Sequence, residues 1–208
     1  MNRLKKFWLF LVVVLIAAGF SVKNSEVNTV FLRENRVSWA DSIYATLTPD
    51  ERIGQLFMVA AYSNKDKKHE DEVLTLIEKN KIWGLIFFQG GPARQAILTN
   101  RFQKASKVPL MVSIDGEWGL AMRLDSTIAY PRQMALGAIQ DDSVIYRMGK
   151  EIARQCKRMG IHVNLAPVAD VNNNPNNPVI GTRSFGEDKY NVARKAIMYM
   201  KGLQDGGV

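Results

Sequence analysis

Polar and charged side chains follow directly after two apolar segments of this chain. Residues 108–114 lead into Asp115 and Glu117, and residues 161–168 lead into an Asn- and Pro-rich loop that ends near Arg183. Carboxylates and guanidinium groups make charge-assisted hydrogen bonds with demanding geometry. Glycines near both carboxylates let the backbone bend tightly around a bound group. These residue types are suited to holding a polyhydroxylated or anionic ligand.

Each side chain after the first segment also has a structural interpretation. Asp115 could cap the turn that follows it, although the nearby glycines favour a binding role. Glu117 is better explained as the buried partner of an arginine, for example Arg123. Trp118 could offer its ring to a sugar or simply pack at the rim of the fold, and the sequence favours neither interpretation.

The second segment raises similar alternatives. Arg183 offers five fixed donors to a ligand, but it could instead brace its own loop by pairing with Asp170 or Glu187. We favour the ligand role. His162 falls inside the apolar run and is expected to be a hydrogen-bonded core histidine. His69 lies in a charged stretch and is expected to be solvated.

Neither a metal site nor a phosphate-binding loop is visible. Cys156, the single cysteine, is in helical register with apolar residues and is predicted to be a packed core thiol. Two distant histidines and one helical cysteine do not make a zinc site. The glycines of residues 89–92 lack the Gly-Lys-Ser/Thr ending of a phosphate-binding loop. We therefore expect no metal and no cofactor.

The elements that carry these loops alternate along the chain. Four apolar runs are typical of strands buried on both faces, at residues 56–61, 84–88, 108–114 and 161–168. Amphipathic helical patterns follow each of them, at residues 70–81, 92–107, 143–159 and 189–203. This alternation indicates an α/β fold with a parallel sheet and right-handed connections.

The number of βα units identifies the architecture. Four units are half of a (β/α)8 barrel, which needs roughly 250 residues. Residues 205–208 look like the step from a helix into a fifth strand. A four-stranded doubly wound domain is disfavoured, because no helix-opening Gly-x-Gly-x-x-Gly follows the first strand. We therefore predict the N-terminal half of a TIM-type barrel, truncated near Val208.

The N-terminus has the pattern of a targeting segment. Three basic residues precede an uncharged, mostly apolar run, residues 7–20, which is short for a membrane span. We predict a signal peptide or an uncleaved anchor at residues 1–21, a helical lead-in at 22–47 and the partial barrel domain at 48–208. The protein is then exported to the periplasm or cell envelope, and attachment to the membrane through residues 7–20 stays open.

Composition excludes one class of partner. The chain has a net charge of +8 and is 47% hydrophobic, enough apolar material for a sizeable core. Its basic residues are scattered rather than interleaved with aromatic residues, so we expect no nucleic-acid partner. The sequence does not indicate an oligomeric state.

Four stretches resemble family 3 glycoside hydrolases. They are the Thr-Pro-Asp-Glu-Arg-Ile-Gly-Gln-Leu-Phe of residues 48–57, the Ile-Asp-Gly-Glu of residues 114–117, the Leu-Ala-Pro-Val-Ala-Asp-Val of residues 165–171, and residues 176–186. The resemblance runs from about Thr48 to the end of the chain. Its last two stretches are the most specific, since they occur in order and at the spacing of the family.

The resemblance implies a sugar-binding role for three residues. Asp115 matches the family's aspartate that binds the hydroxyls of the non-reducing sugar, and Arg123 and Arg183 match positions that line the same subsite. The family's acid/base dyad and nucleophilic aspartate would fall beyond Val208, so the resemblance implies no catalytic residue within this chain. One departure is that many hexosaminidases of the family have Gly-Gly-Arg where this chain has residues 118–120, Trp-Gly-Leu.

The implied activity is hydrolysis of terminal, non-reducing β-linked N-acetylhexosamine from cell-envelope or other glycans, by a retaining mechanism in the full-length protein. A β-glucosidase or β-xylosidase of the same family is the nearest alternative. A non-catalytic glycan-binding barrel is an alternative of a different class. An unrelated barrel lyase or isomerase would need a basic phosphate site, and the sequence has none.

Overall fold

A computed structural model describes residues 37–208 of the chain. The predicted signal or anchor at residues 1–21, and the lead-in as far as residue 36, lie outside the described residues. Two compact units are distinguished, Met1–Ala45 and Thr46–Val208. Within the described part of the first unit, α1 spans Val37–Ala45.

The second unit alternates strands and helices as the sequence predicts. Its helices are α2 (Pro49–Gly54), α3 (Lys67–Asn80), α4 (Pro92–Ala105), α5 (Gln133–Gly137), α6 (Asp142–Arg158) and α7 (Lys189–Asp205). Its strands are β1 (Met58–Ala61), β2 (Gly84–Phe87), β3 (Met111–Ile114) and β4 (Val163–Asn164). Two single 3-10 turns, Leu120–Met122 and Gly181–Arg183, lie in the loops after β3 and β4.

The four strands form one parallel sheet in the order β1-β2-β3-β4. Gly84 pairs with Met58 on one side and with Met111 on the other, and Ser113 pairs with Val163. Sequential parallel strands joined by helices are the repeating unit of a (β/α)8 barrel, and the predicted partial barrel is confirmed. The loops after β3 and β4 therefore leave neighbouring strands at the same, carboxyl edge of the sheet.

The core lies between the sheet and its helices. The strands contribute fully buried side chains such as Leu85, Phe87, Val112 and Ile114. The inward face of α6 contributes Ile145, Met148, Ile152 and Cys156, spaced at helical intervals. Cys156 is confirmed as a buried core thiol, and burial raises its pKa to about 12.

Capping residues set where the helices begin. Thr48 and Glu51 form a capping box, in which each side chain accepts from the other residue's backbone N–H. Helix α3 begins at Lys67, whereas the sequence predicts its start at residue 70, so the predicted start was wrong. The reason is Asp66, whose carboxylate accepts the backbone N–H of His69 and caps the helix three residues early.

The last predicted strand is much shorter than its apolar run. Residues 161–168 were expected to be extended throughout, but β4 has only Val163 and Asn164. Leu165 still donates its N–H to Ile114 over 2.8 Å, whereas the N–H and the carbonyl of Val168 bond to the side chain of Gln133 instead of to a neighbouring strand. The excursion before α6 also contains the short helix α5, which the sequence reasoning missed.

Candidate functional site

The predicted binding residues lie on the two loops at the carboxyl edge of the sheet. Asp115 directly follows β3, Arg123 directly follows the 3-10 turn Leu120–Met122, and Arg183 ends the 3-10 turn Gly181–Arg183. A cleft of about 300 Å³ adjoins Arg123 and is lined also by polar residues of the loops after β1 and β2, Asn64 and Gln89. The site is thus formed by loops of consecutive strands.

Asp115 and Arg123 form a two-point ion pair. The Nη2 of Arg123 donates to the Oδ2 of Asp115, and its Nε donates to the Asp115 carbonyl oxygen over 3.1 Å. The side chains keep 24% and 16% of their surface exposed, respectively. Each therefore retains hydrogen-bonding capacity toward solvent or a ligand. Arg123 was suggested as the partner of Glu117, and that suggestion was wrong.

The loop after β2 supports Arg123 from behind. The guanidinium carbon lies 4.7 Å from the centre of the Phe88 ring, a cation–π contact. The backbone N–H of Gly90 donates to the Arg123 carbonyl oxygen over 3.2 Å, and the N–H of Asp125 donates back to Gly90 over 2.8 Å. Both the backbone and the side chain of Arg123 are held in place before any ligand binds.

Glu117 and Arg183 form the second pair. The Nε of Arg183 lies 3.0 and 3.1 Å from the two carboxylate oxygens of Glu117, and its Nη2 lies 2.5 Å from Oε1. Glu117 is 1% exposed, whereas Arg183 is 34% exposed. The hydrogen bond from Arg183 to Glu117 is the largest cause of the raised pKa of that guanidinium.

The Glu117–Arg183 pair answers two questions from the sequence analysis, namely which arginine Glu117 pairs with and which carboxylate Arg183 pairs with. Glu117 has the predicted role of a buried partner for an arginine. Arg183 does brace its loop, but its partner is Glu117 rather than Asp170 or Glu187. The Arg183 side chain keeps 34% of its surface exposed while it pairs with Glu117, so bracing and ligand binding are compatible for this side chain.

Two residues that sequence reasoning missed hold the turn between the carboxylates. Asn164 accepts the N–H of Gly116 over 2.9 Å and donates to the Gly116 carbonyl over 3.2 Å. The buried hydroxyl of Tyr199 donates to the carbonyl oxygens of Gly116 and Glu117, at 3.2 and 3.3 Å. An amide at the end of β4 was the available signal for Asn164, whereas Tyr199 reads from the sequence as an ordinary core aromatic of α7.

Gly119 shows why the turn needs glycine. Its φ of +82° lies in the left-handed region, and a Cβ there would meet Tyr130 Cδ2 at 2.7 Å. The adjacent Trp118 is partly buried, and the guanidinium of Arg132 lies 3.4 Å from its ring centre. One face of Trp118 is thus covered by a cation, and its contact with a sugar stays a prediction.

The histidines differ from both expectations. His162 is exposed rather than in the core, and its Nδ1 accepts the backbone N–H of Val112 over 3.0 Å. His69 is partly buried rather than solvated, and its Nε2 accepts the N–H of Tyr62 over 3.2 Å. Desolvation is the main cause of the lowered pKa of His69. Both rings serve the backbone of neighbouring elements.

Residues 37–208 contain neither a metal-binding cluster nor a membrane-spanning helix. No group of three or more His, Cys, Asp and Glu side chains in that range is placed to hold a metal ion. Within the same range, no helix has the length and apolar character needed to cross a bilayer.

Two arginine–carboxylate pairs lie at the carboxyl edge of the parallel sheet, which is the edge where barrel enzymes carry their functional loops. The family model for the glycosyl hydrolase family 3 N terminal domain matches residues 48–208. The chain therefore belongs to glycosyl hydrolase family 3, as the sequence resemblance indicated.

Several relatives are similar over most of the chain. A protein named beta-hexosaminidase A from Pseudoalteromonas piscicida is 31% identical over 83% of this chain and 34% of its own length. A beta-N-acetylglucosaminidase/beta-glucosidase from Cellulomonas fimi is 27% identical over 85% of this chain and 31% of its own length. A family 3 beta-N-acetylglucosaminidase structure from Paenibacillus sp. is 35% identical, with a TM-score of 0.69 over 78% of this chain and 32% of that chain. The chain spans about a third of the length of these relatives.

Proposed function

We propose that the whole protein removes terminal, non-reducing β-linked N-acetylhexosamine from glycans, and that residues 48–208 supply part of its sugar-binding site. The observation that carries this proposal is the Asp115–Arg123 pair, because both residues match sugar-binding positions of the family. A carboxylate already fixed by a guanidinium offers its remaining lone pairs to two vicinal hydroxyls without further ordering.

Arg183 is the third proposed sugar ligand. Glu117 fixes its orientation through Nε and Nη2, and part of the guanidinium remains exposed. A hydrogen bond to a sugar hydroxyl from a preorganised cation needs no further ordering of that side chain when the ligand binds. The same arrangement explains why a buried carboxylate follows the ligand-binding Asp115 after only one intervening residue.

The proposed reaction proceeds with retention of configuration. Retention requires one carboxylate that forms a glycosyl-enzyme and a second group that acts first as acid and then as base. We place those groups outside the present chain, and we assign binding rather than bond cleavage to the residues described above. The proposed location is the periplasm or cell envelope, after export directed by residues 1–21.

A β-glucosidase or β-xylosidase activity is the second candidate. It is favoured by the Trp-Gly-Leu of residues 118–120, where many hexosaminidases of the family have Gly-Gly-Arg. The Cellulomonas fimi relative carries both activities in its name. The acetamido preference is therefore the part of the proposal that most needs a direct test.

The test compares aryl β-glycosides of N-acetylglucosamine, glucose and xylose as substrates of the full-length protein. We expect the highest kcat/KM for the N-acetylglucosaminide, and a first-formed product with the β configuration when the reaction is followed by NMR. A preference for the glucoside or xyloside selects the second candidate. Absence of hydrolysis together with measurable sugar binding selects a non-catalytic glycan-binding barrel.

A further inference from the structure

The outer surface of α6 is predominantly cationic, and its acidic residues Glu151 and Asp142 are only partly exposed. Five residues of this helix are exposed, and all of them are basic: Arg147, Lys150, Arg154, Lys157 and Arg158. Helix α3, by contrast, exposes lysines together with aspartate and glutamate. The chain as a whole has 28 basic and 20 acidic residues, so an all-basic helix surface is not explained by composition alone. We call these five residues the α6 basic surface.

Most of this charge is not neutralised within the fold. Arg154 is held by Glu151 over 2.6 and 2.8 Å, and Arg147 donates to the hydroxyl of Ser143. Among residues 37–208, the side chains of Lys150, Lys157 and Arg158 have no hydrogen-bond or ion-pair partner. Uncompensated like charges along one helix are unfavourable on their own, and an anionic partner would relieve that repulsion.

The shape of the surface favours an extended partner. The basic residues run from Arg147 to Arg158, a span of about 16 Å along the helix. A cleft of about 540 Å³ lies beside them and is also lined by Glu151 and Asp205. The cations are spread along the helix rather than converging on one point, which suits many anionic groups in a plane better than a single phosphate.

The chemistry of the surface distinguishes among polyanions. None of the five exposed positions is aromatic, so the surface has no stacking platform for single-stranded nucleic acid. Lysine and arginine near an anionic bilayer each gain about 1 kcal/mol. The N-terminal sequence also has basic residues followed by the apolar run of residues 7–20, a pattern that brings a protein to a membrane.

We propose that the α6 basic surface binds the anionic phospholipid headgroups of a membrane and thereby orients the protein on that membrane. This interaction is independent of the sugar-binding residues, which lie on the loops after β3 and β4. It is therefore independent of the proposed hydrolase activity, and either proposal can fail without the other.

The test measures co-sedimentation of the full-length protein, lacking only residues 1–21, with phospholipid vesicles. We expect binding to equimolar phosphatidylcholine and phosphatidylglycerol, and none to phosphatidylcholine alone. Salt at about 1 M should release the protein, because the screening length then falls to about 3 Å. Equal binding to both vesicle types would overturn the proposal.

Matched variants locate the interaction. Combined Lys150→Gln and Lys157→Gln should weaken partitioning onto the mixed vesicles about 30-fold, or about fivefold for each charge. Combined Lys68→Gln and Lys79→Gln removes the same formal charge from α3 and should leave partitioning nearly unchanged. Both pairs are exposed, and glycosidase activity and the melting temperature should stay at wild-type values in each.

Three results would contradict the proposal. If the α6 variant partitions onto the mixed vesicles as the wild type does, the α6 basic surface does not bind the membrane. An equal loss in the α3 variant would show a response to net charge only. Binding of a soluble phosphate polymer, lost in the α6 variant, without vesicle binding would assign the surface to a phosphorylated glycan instead.

Discussion

The Glu117–Arg183 pair should respond asymmetrically to removal of either partner. Arg183→Ala leaves the Glu117 carboxylate, which is 1% exposed, without its guanidinium. Glu117→Gln leaves an arginine whose side chain is already 34% exposed, so its charge can be solvated. Arg183→Ala should therefore lower the free energy of unfolding more than Glu117→Gln does, although both substitutions break the same ion pair.

The magnitudes follow from burial. Removing one partner of a buried pair costs about 3–5 kcal/mol when the remaining charge stays buried, and this range applies to Arg183→Ala. For Glu117→Gln, exposure of the guanidinium and the remaining amide hydrogen bond reduce the cost to about 1–2 kcal/mol. The variant that combines Arg183→Ala with Glu117→Gln buries no unpaired charge. Its loss of unfolding free energy should therefore be about 2 kcal/mol smaller than the sum of the two single losses.

The assay is urea denaturation of the four full-length proteins, with KM for an aryl glycoside measured on each. Arg183→Lys adds a second comparison, since lysine retains the charge but not the two-point geometry. We expect Arg183→Lys to raise KM more than Glu117→Gln does if the guanidinium binds sugar. Additive losses to within about 0.5 kcal/mol would refute the coupling inferred from the structure. Unchanged KM in Arg183→Lys would assign Arg183 to bracing alone.

Three further predictions concern the binding site, the acid limb of stability and the cysteine. Asp115→Ala should lower kcat/KM by at least about 100-fold, because a charge-assisted hydrogen bond to the sugar is lost, and the fold should be retained. Wild-type kinetics in this variant would show that Asp115 only pairs with Arg123. The hydrogen bond from buried Lys195 is the main cause of the lowered pKa of Asp142. The stability that this pair contributes is present above the unfolded pKa of about 3.9 and is lost as pH falls through the lower folded pKa. Asp142→Asn should therefore destabilise the protein at pH 7, and its urea midpoint should change less between pH 4 and 2 than that of the wild type. An equal change in both proteins would contradict this. The buried thiol of Cys156, with its pKa raised to about 12, should resist alkylation at pH 8 until the protein is unfolded, and rapid native-state labelling would argue against its burial.

Much of the architecture could be predicted from the sequence because its causes are local. Apolar runs and helical periodicity located all four strands and the four long helices. Errors occurred where a single side chain determined a boundary. Asp66 begins α3 early, and Gln133 bonds the backbone of Val168, which the predicted fourth strand had included.

Asp115, Arg123 and Arg183 were singled out from the sequence because they lie in loops that follow strands and match positions of the family, and their role in sugar binding stays a prediction. Their ion-pair partners were not apparent from the sequence. Arg123 pairs with Asp115, eight residues away, whereas Arg183 pairs with Glu117 across 66 residues. Asp115, Glu117, Asp170 and Glu187 are all carboxylates that sequence alone leaves equally eligible for either arginine.

Only the tertiary structure decided between them, because β3 and β4 are adjacent in the sheet and bring the two loops together at one edge. Asn164 and Tyr199 then fix the turn at Gly116, so that the Glu117 carboxylate is buried beneath Arg183 while Asp115 remains partly open. Sequence determines which side chains are available at a strand end. Strand adjacency and the path of each loop determine which charges meet, since ion pairing depends on distance and burial rather than on separation along the chain.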